Sequence, residues 1–277
     1  MKNMMYRARQ LGYQVVFVLF RATGDMPVQS DKLYHMLSWR DIKEPSDYIY
    51  SKYVKPVAGR RMYLYGVSLG GAIQTHYILN DNADTPFSAM VSYGNPFAPE
   101  DTIQSFKDKM WGLYDVGLGL HLNGKLKASL PDLAKYTSKE KMDIYRNGLY
   151  NESYRLTSID SHIIAPMFGF KDSMAYYKAS RISGSLHKIK RCPTMFLESW
   201  DDILMDRCYP VEEIRNNPNV LLACTDRGGH CCHLTHSKRK LTGLPFIDCF
   251  SWFFPSSNWF ADPCMDFIET VEKQHRM

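Results

Sequence analysis

Residues 63–73, YLYGVSLGGAI, constrain the fold of this chain more than any other stretch. An apolar run ends at Gly66-Val67-Ser68-Leu69-Gly70 and continues directly into LGGAIQTHYILN at 69–80, whose pattern is helical. A strand that turns straight into a helix is the first half of a β-α-β unit, so a mainly parallel sheet with crossover helices is expected. The flanking sequence agrees. RMYLYGV at 61–67 and FSAMVSYG at 87–94 read as strands on either side of that helix, and YQVVFVLF at 13–20 reads as an earlier strand buried on both faces. Residues 1–11 read as a helix entering Gly12, and the apolar spacing over 31–53 predicts another, closed by Pro56 and Gly59.

The alternation stops at Asn95. From there to Lys190 the chain is rich in Tyr, Lys and Met and offers helical segments without a buried strand, so it reads as an inserted helical cap. Alternation resumes with PTMFLES at 193–199, a helix around 210–215, NVLLACT at 219–225 and a last helix within 258–274. The expected organisation is an α/β core formed by residues 1–94 and 191–277, with 95–190 inserted as the cap.

Composition narrows the function classes. The net charge of +5 comes from 34 basic and 29 acidic residues spread along 277, and the nearest basic cluster, HSKRK at 236–240, is of the kind that forms a solvated loop. Nucleic-acid binding is therefore not expected. No apolar run approaches the roughly 20 residues that cross a bilayer, and MKNMMYRARQLGY lacks the apolar core of a signal peptide. The seven cysteines are odd in number and include the adjacent pair Cys231 and Cys232, which fits reduced thiols better than a disulfide framework. The expected setting is cytoplasmic or membrane-peripheral.

The elbow carries chemistry if its partners exist. A serine hydroxyl is a weak nucleophile and needs a base beside it, an acid to orient that base, and N–H donors for the developing oxyanion. In a strand-turn-helix elbow the serine occupies a strained backbone position, and Gly66 and Gly70 remove side chains that would crowd it. The turn aims the backbone N–H of Leu69 at the reacting oxygen. An acid and a histidine should then follow later strands in the order Ser, Asp, His. WDDILMD follows one strand and offers Asp201 and Asp202; DRGGHCCHL follows the next and offers His230. An acid after a strand or a lone histidine has a structural explanation by itself, but the three in order at strand ends are hard to explain that way.

These residues resemble the α/β-hydrolase superfamily, and within it the YheT-like group, which includes bacterial esterases, eukaryotic lipid hydrolases and yeast medium-chain ethyl ester synthases. FRATGDMPVQSDKLYH, YGVSLGGAI, YGNPF, the segment FGFKDSMAYYKASRISGSLHKIKRCPTMFLESWDD and RGGHCCHL carry the resemblance, which runs along nearly the whole chain. It implies an α/β-hydrolase fold with Ser68 as nucleophile, His230 as base and Asp202 as acid, with Asp201 the runner-up. The implied activity is hydrolysis of lipid-type carboxylic esters of short to medium acyl length through an acyl-enzyme, or acyl transfer to an alcohol, without metal or cofactor. The implied partner is a small lipid or ester substrate, with peripheral membrane contact compatible with it. Two positions depart from the pattern: Ala22 stands where the family usually has glycine, and Cys231 and Cys232 follow the histidine. The resemblance also puts the superfamily's first strands and oxyanion loop ahead of residue 1, so a chain N-terminally truncated against that pattern is expected. That feature supports an alternative reading, a weakly active or inactive hydrolase-fold protein that binds a lipid or a protein.

Other clusters have simpler explanations. His230, Cys231, Cys232, His233 and His236 suggest a metal, but no second pair of ligands at knuckle spacing accompanies them, and the two cysteines are expected to pack as small apolar groups. Met110, Trp111, Tyr114, Met167, Phe168, Phe170, Tyr176 and Tyr177 either line an acyl pocket or form the cap's core. His35, His76 and His162 read as structural, and the resemblance suggests that Asp160 anchors the cap.

Overall fold

The computed structural model describes residues 2–24, 26–81, 84–152, 154–235 and 257–276. Its centre is a parallel sheet of four strands in sequential order: β1 (Met62–Val67), β2 (Phe87–Tyr93), β3 (Thr194–Ser199) and β4 (Val220–Thr225). Alternate residues of β2 and β3 feed two different cores, as the period of a strand requires. Met90 and Phe196 pack with Ile73, Tyr77 and Ile78 of the helix α3 (Leu69–Asp81). Val91, Tyr93, Met195 and Leu197 pack with Met4, Cys264, Met265 and Ile268 from the terminal helices, Lys2–Gln10 and Ala261–Arg276.

Helix α3 is buried continuously from Gly71 to Ile78, so it has no solvent-facing polar stripe there; its buried polar side chains Gln74, Thr75 and His76 bond the carbonyls of Val91, Gly71 and Ser180. Tyr77, Ile73 and Ile78 are fully buried, each contributing about 1.5–3 kcal/mol. The elbow therefore rests on one of the best-packed elements in the molecule.

Between β2 and β3 lies the helical insertion, with no strand among its described residues. Its helices are α4 (Pro99–Asp108), α5 (Leu113–Leu133), α6 (Lys139–Asn147), α7 (Leu156–Ile159), α8 (Ala165–Met167) and α9 (Ser173–Ala179). They share a core of their own around Leu133, Tyr145, Ile159, Ile163 and Tyr177. Asp172 caps α9 by accepting the N–H of Ala175 at 2.7 Å. Gly119 lets α5 meet the chain at 155–156 backbone to backbone, since a Cβ there would lie 2.4 Å from the Arg155 carbonyl carbon.

Two sequence expectations need correction. Residues 13–20 join no ladder, because no described strand lies alongside to take their hydrogen bonds; Val16 is 62% exposed and Phe17 50%. The helix expected over 31–53 begins only at Arg40, as α2 (Arg40–Ile49), and continues as a π-helical turn through Val54. Upstream, backbone N–H groups that a helix would have used are bonded to side chains. Leu33 donates to Met167 Sδ, His35 to Ser38 Oγ and Met36 to the Tyr176 hydroxyl.

Ala22 sits at φ 59°, in the left-handed region that favours glycine, at a position where the resembled pattern has glycine. Ala22→Gly is therefore expected to stabilise the fold by about 1 kcal/mol, the alanine strain outweighing glycine's extra chain entropy. A urea midpoint unchanged or lowered would show that the strain is absent.

Candidate active site

Ser68 follows β1 at φ 52°, a conformation that costs a non-glycine residue strain and turns its side chain outward at the strand-to-helix junction. Gly66 is needed there: a Cβ on it would meet the Gly70 carbonyl oxygen and the Gln74 side chain at 2.7 Å. A Cβ on Gly70 would meet nothing within 4 Å, and the other close approach falls at Gly71, 2.5 Å from Ser92 Oγ. The Ser68 N–H donates to the Tyr93 carbonyl at 2.8 Å, which ties the elbow to the end of β2. Leu69 opens α3, where the first N–H groups have no partner within the helix.

The structure brings Ser68, His230 and Asp202 together from three strand ends. Ser68 Oγ lies 2.7 Å from His230 Nε2, and His230 Nδ1 lies 2.8 Å from Asp202 Oδ2. Asp202 is buried at 3% exposure, and its other oxygen accepts the N–H groups of Leu204 and Met205 at 2.9 and 3.3 Å. An ionised carboxylate can only accept, so it fixes the His230 proton on Nδ1 and leaves the Nε2 lone pair facing the serine hydroxyl.

Asp201 has a different set of partners. One of its oxygens accepts from Gly228 N at 2.9 Å, Gly229 N at 2.7 Å and the Ser199 hydroxyl, so it pins the loop that carries His230 without touching the imidazole. Burial pushes this carboxyl up, but the hydrogen bonds from Ser199, Gly229 and Gly228 outweigh it and hold it below the usual carboxylate range.

Three supporting roles escaped the sequence reading. Glu198 on β3 is wholly buried and accepts the Asn95 N–H at 2.8 Å, and burial pushes its carboxyl well above the usual range. The only signal was an acid inside an otherwise apolar strand. His233 bonds the Tyr93 hydroxyl through Nδ1 and Thr225 Oγ1 through Nε2, both at 2.7 Å, and its ring fills the space beside Gly228 where a Cβ would lie 2.5 Å away. Asn95 carries nothing in its spacing to distinguish it from any polar residue after a strand.

Among the described residues no group of three or more ligating side chains could hold a metal ion, and His236 and HSKRK lie outside them. Cys231 is partly buried at φ 59°, with its thiol donating to the Tyr93 carbonyl at 3.5 Å, whereas Cys232 is exposed instead of packing as expected. The remaining histidines sit in local structure. His35 stacks on Phe168 at 3.7 Å, and burial pushes it down to about 4. His76 and His162 bond the carbonyls of Ser180 and Ser158. Asp160 is buried in the insertion, where it accepts the Tyr177 hydroxyl at 2.8 Å; burial raises it to about 7. The cap aromatics divide: Met167, Tyr176 and Tyr177 are core, while Met110, Trp111 and Tyr114 face solvent.

A parallel sheet flanked by helices, with a strained serine elbow after one strand and a helical insertion between two others, is the α/β-hydrolase fold. Among solved structures it superposes on a meta-cleavage product hydrolase from Pseudomonas fluorescens with a TM-score of 0.51 at 16% identity, over 83% of this chain and 76% of that one. In sequence it is 27% identical over 225 residues to an abhydrolase domain-containing protein of Dictyostelium discoideum, covering 80% of this chain and 54% of that protein. It is 26% identical over 219 residues to a monoacylglycerol lipase of Saccharomyces cerevisiae, covering 78% and 44%. The chain thus spans about half the length of these curated relatives. No protein-family model matches it.

Proposed function

We propose that the chain is a serine hydrolase of the YheT-like kind that cleaves lipid-type carboxylic esters of short to medium acyl length through an acyl-enzyme. The observation that carries this reading is the unbroken line of hydrogen bonds from Ser68 Oγ through His230 to Asp202, at 2.7 and 2.8 Å. In this reading residues 1–94 and 191–277 form the catalytic core, and the cap at 95–190 shapes access to it.

The chemistry follows from the proton positions. Ser68 Oγ attacks the ester carbonyl carbon as His230 Nε2 takes its proton, and Asp202 stabilises the imidazolium that results. The Leu69 N–H donates to the oxyanion. His230 then returns the proton to the departing alcohol, leaving the acyl group on Ser68. Water completes hydrolysis; an alcohol in its place completes acyl transfer, since one intermediate serves both.

The test is labelling of the purified chain with a fluorescent fluorophosphonate. Wild type is expected to label, with Ser68→Ala and His230→Ala both dark. A folded wild type that stays unlabelled would overturn the hydrolase reading and favour a binding protein on this scaffold.

A further inference from the structure

We propose that the start of α5 and the turn before it form a docking surface for a phospholipid membrane. Six large apolar side chains cluster within eleven residues here: Met110, Trp111, Leu113, Tyr114, Leu118 and Leu120 are all exposed, Trp111 at 97%. At 100° per residue, the exposed positions of α5 fall in one arc about 160° wide, while Asp115, Gly119, Leu126 and Leu130 on the other side are buried. The helix is apolar on both faces, but the cap covers only one. A contiguous patch of this kind marks an interaction site.

The turn presents its side chains at a conformational cost. Met110 and Trp111 have φ of 49° and 55°, and Gly112 follows at 72°. Two consecutive non-glycine residues in the left-handed region cost roughly 1–2 kcal/mol each. Trp111, at 97% exposure, gains no burial among the described residues in return.

Charge chooses the occupant. Residues 109–131 hold one carboxylate, Asp115, and it is buried; the ionisable groups around the patch are Lys107, Lys109, His121, Lys125 and Lys127, with Asp108 beside the turn and Asp206 paired with Lys109. The nearest exposed acid, Asp108, accepts from the Gln104 amide at 2.7 Å. A helix face of Trp, Leu and Met bordered by lysines, whose exposed acids Asp108 and Asp206 are already engaged by Gln104 and by Lys109 and Ser105, is the chemistry of a helix lying in a bilayer interface: the apolar groups enter the acyl boundary and Lys125 and Lys127 meet anionic headgroups. Among the described residues no helix is long and apolar enough to cross a membrane, so the contact is peripheral.

The patch is also coupled to the site. Lys109 pairs with Asp206, which also accepts the Ser105 hydroxyl, and Asp206 lies in the turn that follows Asp202. Docking would thus fix the lipid surface against the loop of the proposed acid. The docking itself requires no turnover and stands apart from the hydrolase reading.

The test is flotation of the full chain with vesicles of phosphatidylcholine containing phosphatidylserine. Wild type and Ser68→Ala should float equally, which separates docking from catalysis. Trp111→Ser with Leu118→Ser should weaken binding by about a hundredfold or more, since each buried apolar side chain supplies at least about tenfold. Tyr6→Ser, which removes an exposed aromatic on the N-terminal helix, should leave binding unchanged. A wild type that does not float, or a double variant that floats as well as wild type, would overturn the proposal. A dimer in vesicle-free solution that the double variant abolishes would also overturn it, assigning the face to a second copy.

Discussion

Asp202→Asn is expected to lower turnover of a short-chain p-nitrophenyl ester by about 10⁴-fold with little loss of fold. Asn keeps an oxygen for the N–H groups of Leu204 and Met205, which turns its NH₂ toward His230. A donor there forces the imidazole proton onto Nε2, where it faces Ser68 and removes the base. Asp201→Asn should behave differently. Its remaining oxygen still accepts from Gly228, Gly229 and Ser199, so a loss of no more than about tenfold is expected. Kinetics of both variants, with circular dichroism to check folding, would separate the two acids; the opposite ranking would exchange their roles.

Gly94→Ala should be among the most disruptive single-methyl changes. Gly94 sits at φ 65°, and a Cβ there would lie 2.3 Å from Cys231 Sγ and 3.2 Å from His230 Cε1. Left-handed strain and overpacking together are expected to cost about 3 kcal/mol, and the relief of the clash must push the His230 loop away from Ser68. Adding Cys231→Ala removes the nearest atom and should restore part of the stability, though not the backbone strain. Urea unfolding of the two variants measures both parts. A Gly94→Ala variant as stable and active as wild type would mean that the loop does not pack here.

The elements with a continuous apolar run were the ones legible in the sequence. β2, β3 and the middle of α3 are buried, while β1 and β4, at the edges of the described sheet, are partly buried but keep such a run, and the bounds of all five agree with the expected ones to within a residue or so. The segment at 13–20 has the same composition, but a strand also needs a partner, and composition carries no information about that. The false helical start at 31–39 has a similar origin: side chains over 100 residues away compete for two of its N–H groups, and no local pattern reveals this. In the site, the elbow has a signature because its strain demands glycine nearby, and the choice between Asp201 and Asp202 rested on resemblance until geometry separated their partners. Glu198 was missed, and His233 was weighed only as a metal ligand, because both act through contacts with residues distant in sequence.

The Tyr93 carbonyl accepts from both Ser68 N and Cys231 Sγ, and the hydroxyl of the same residue bonds His233. Ser68 and the loop that carries His230 are thus suspended from one fully buried residue of a central strand. When the scaffold breathes, the two are carried in the same direction, and their separation varies less than the position of either. In the proposed mechanism, the spacing of Ser68 and His230 is then inherited from the sheet and not from the helical insertion.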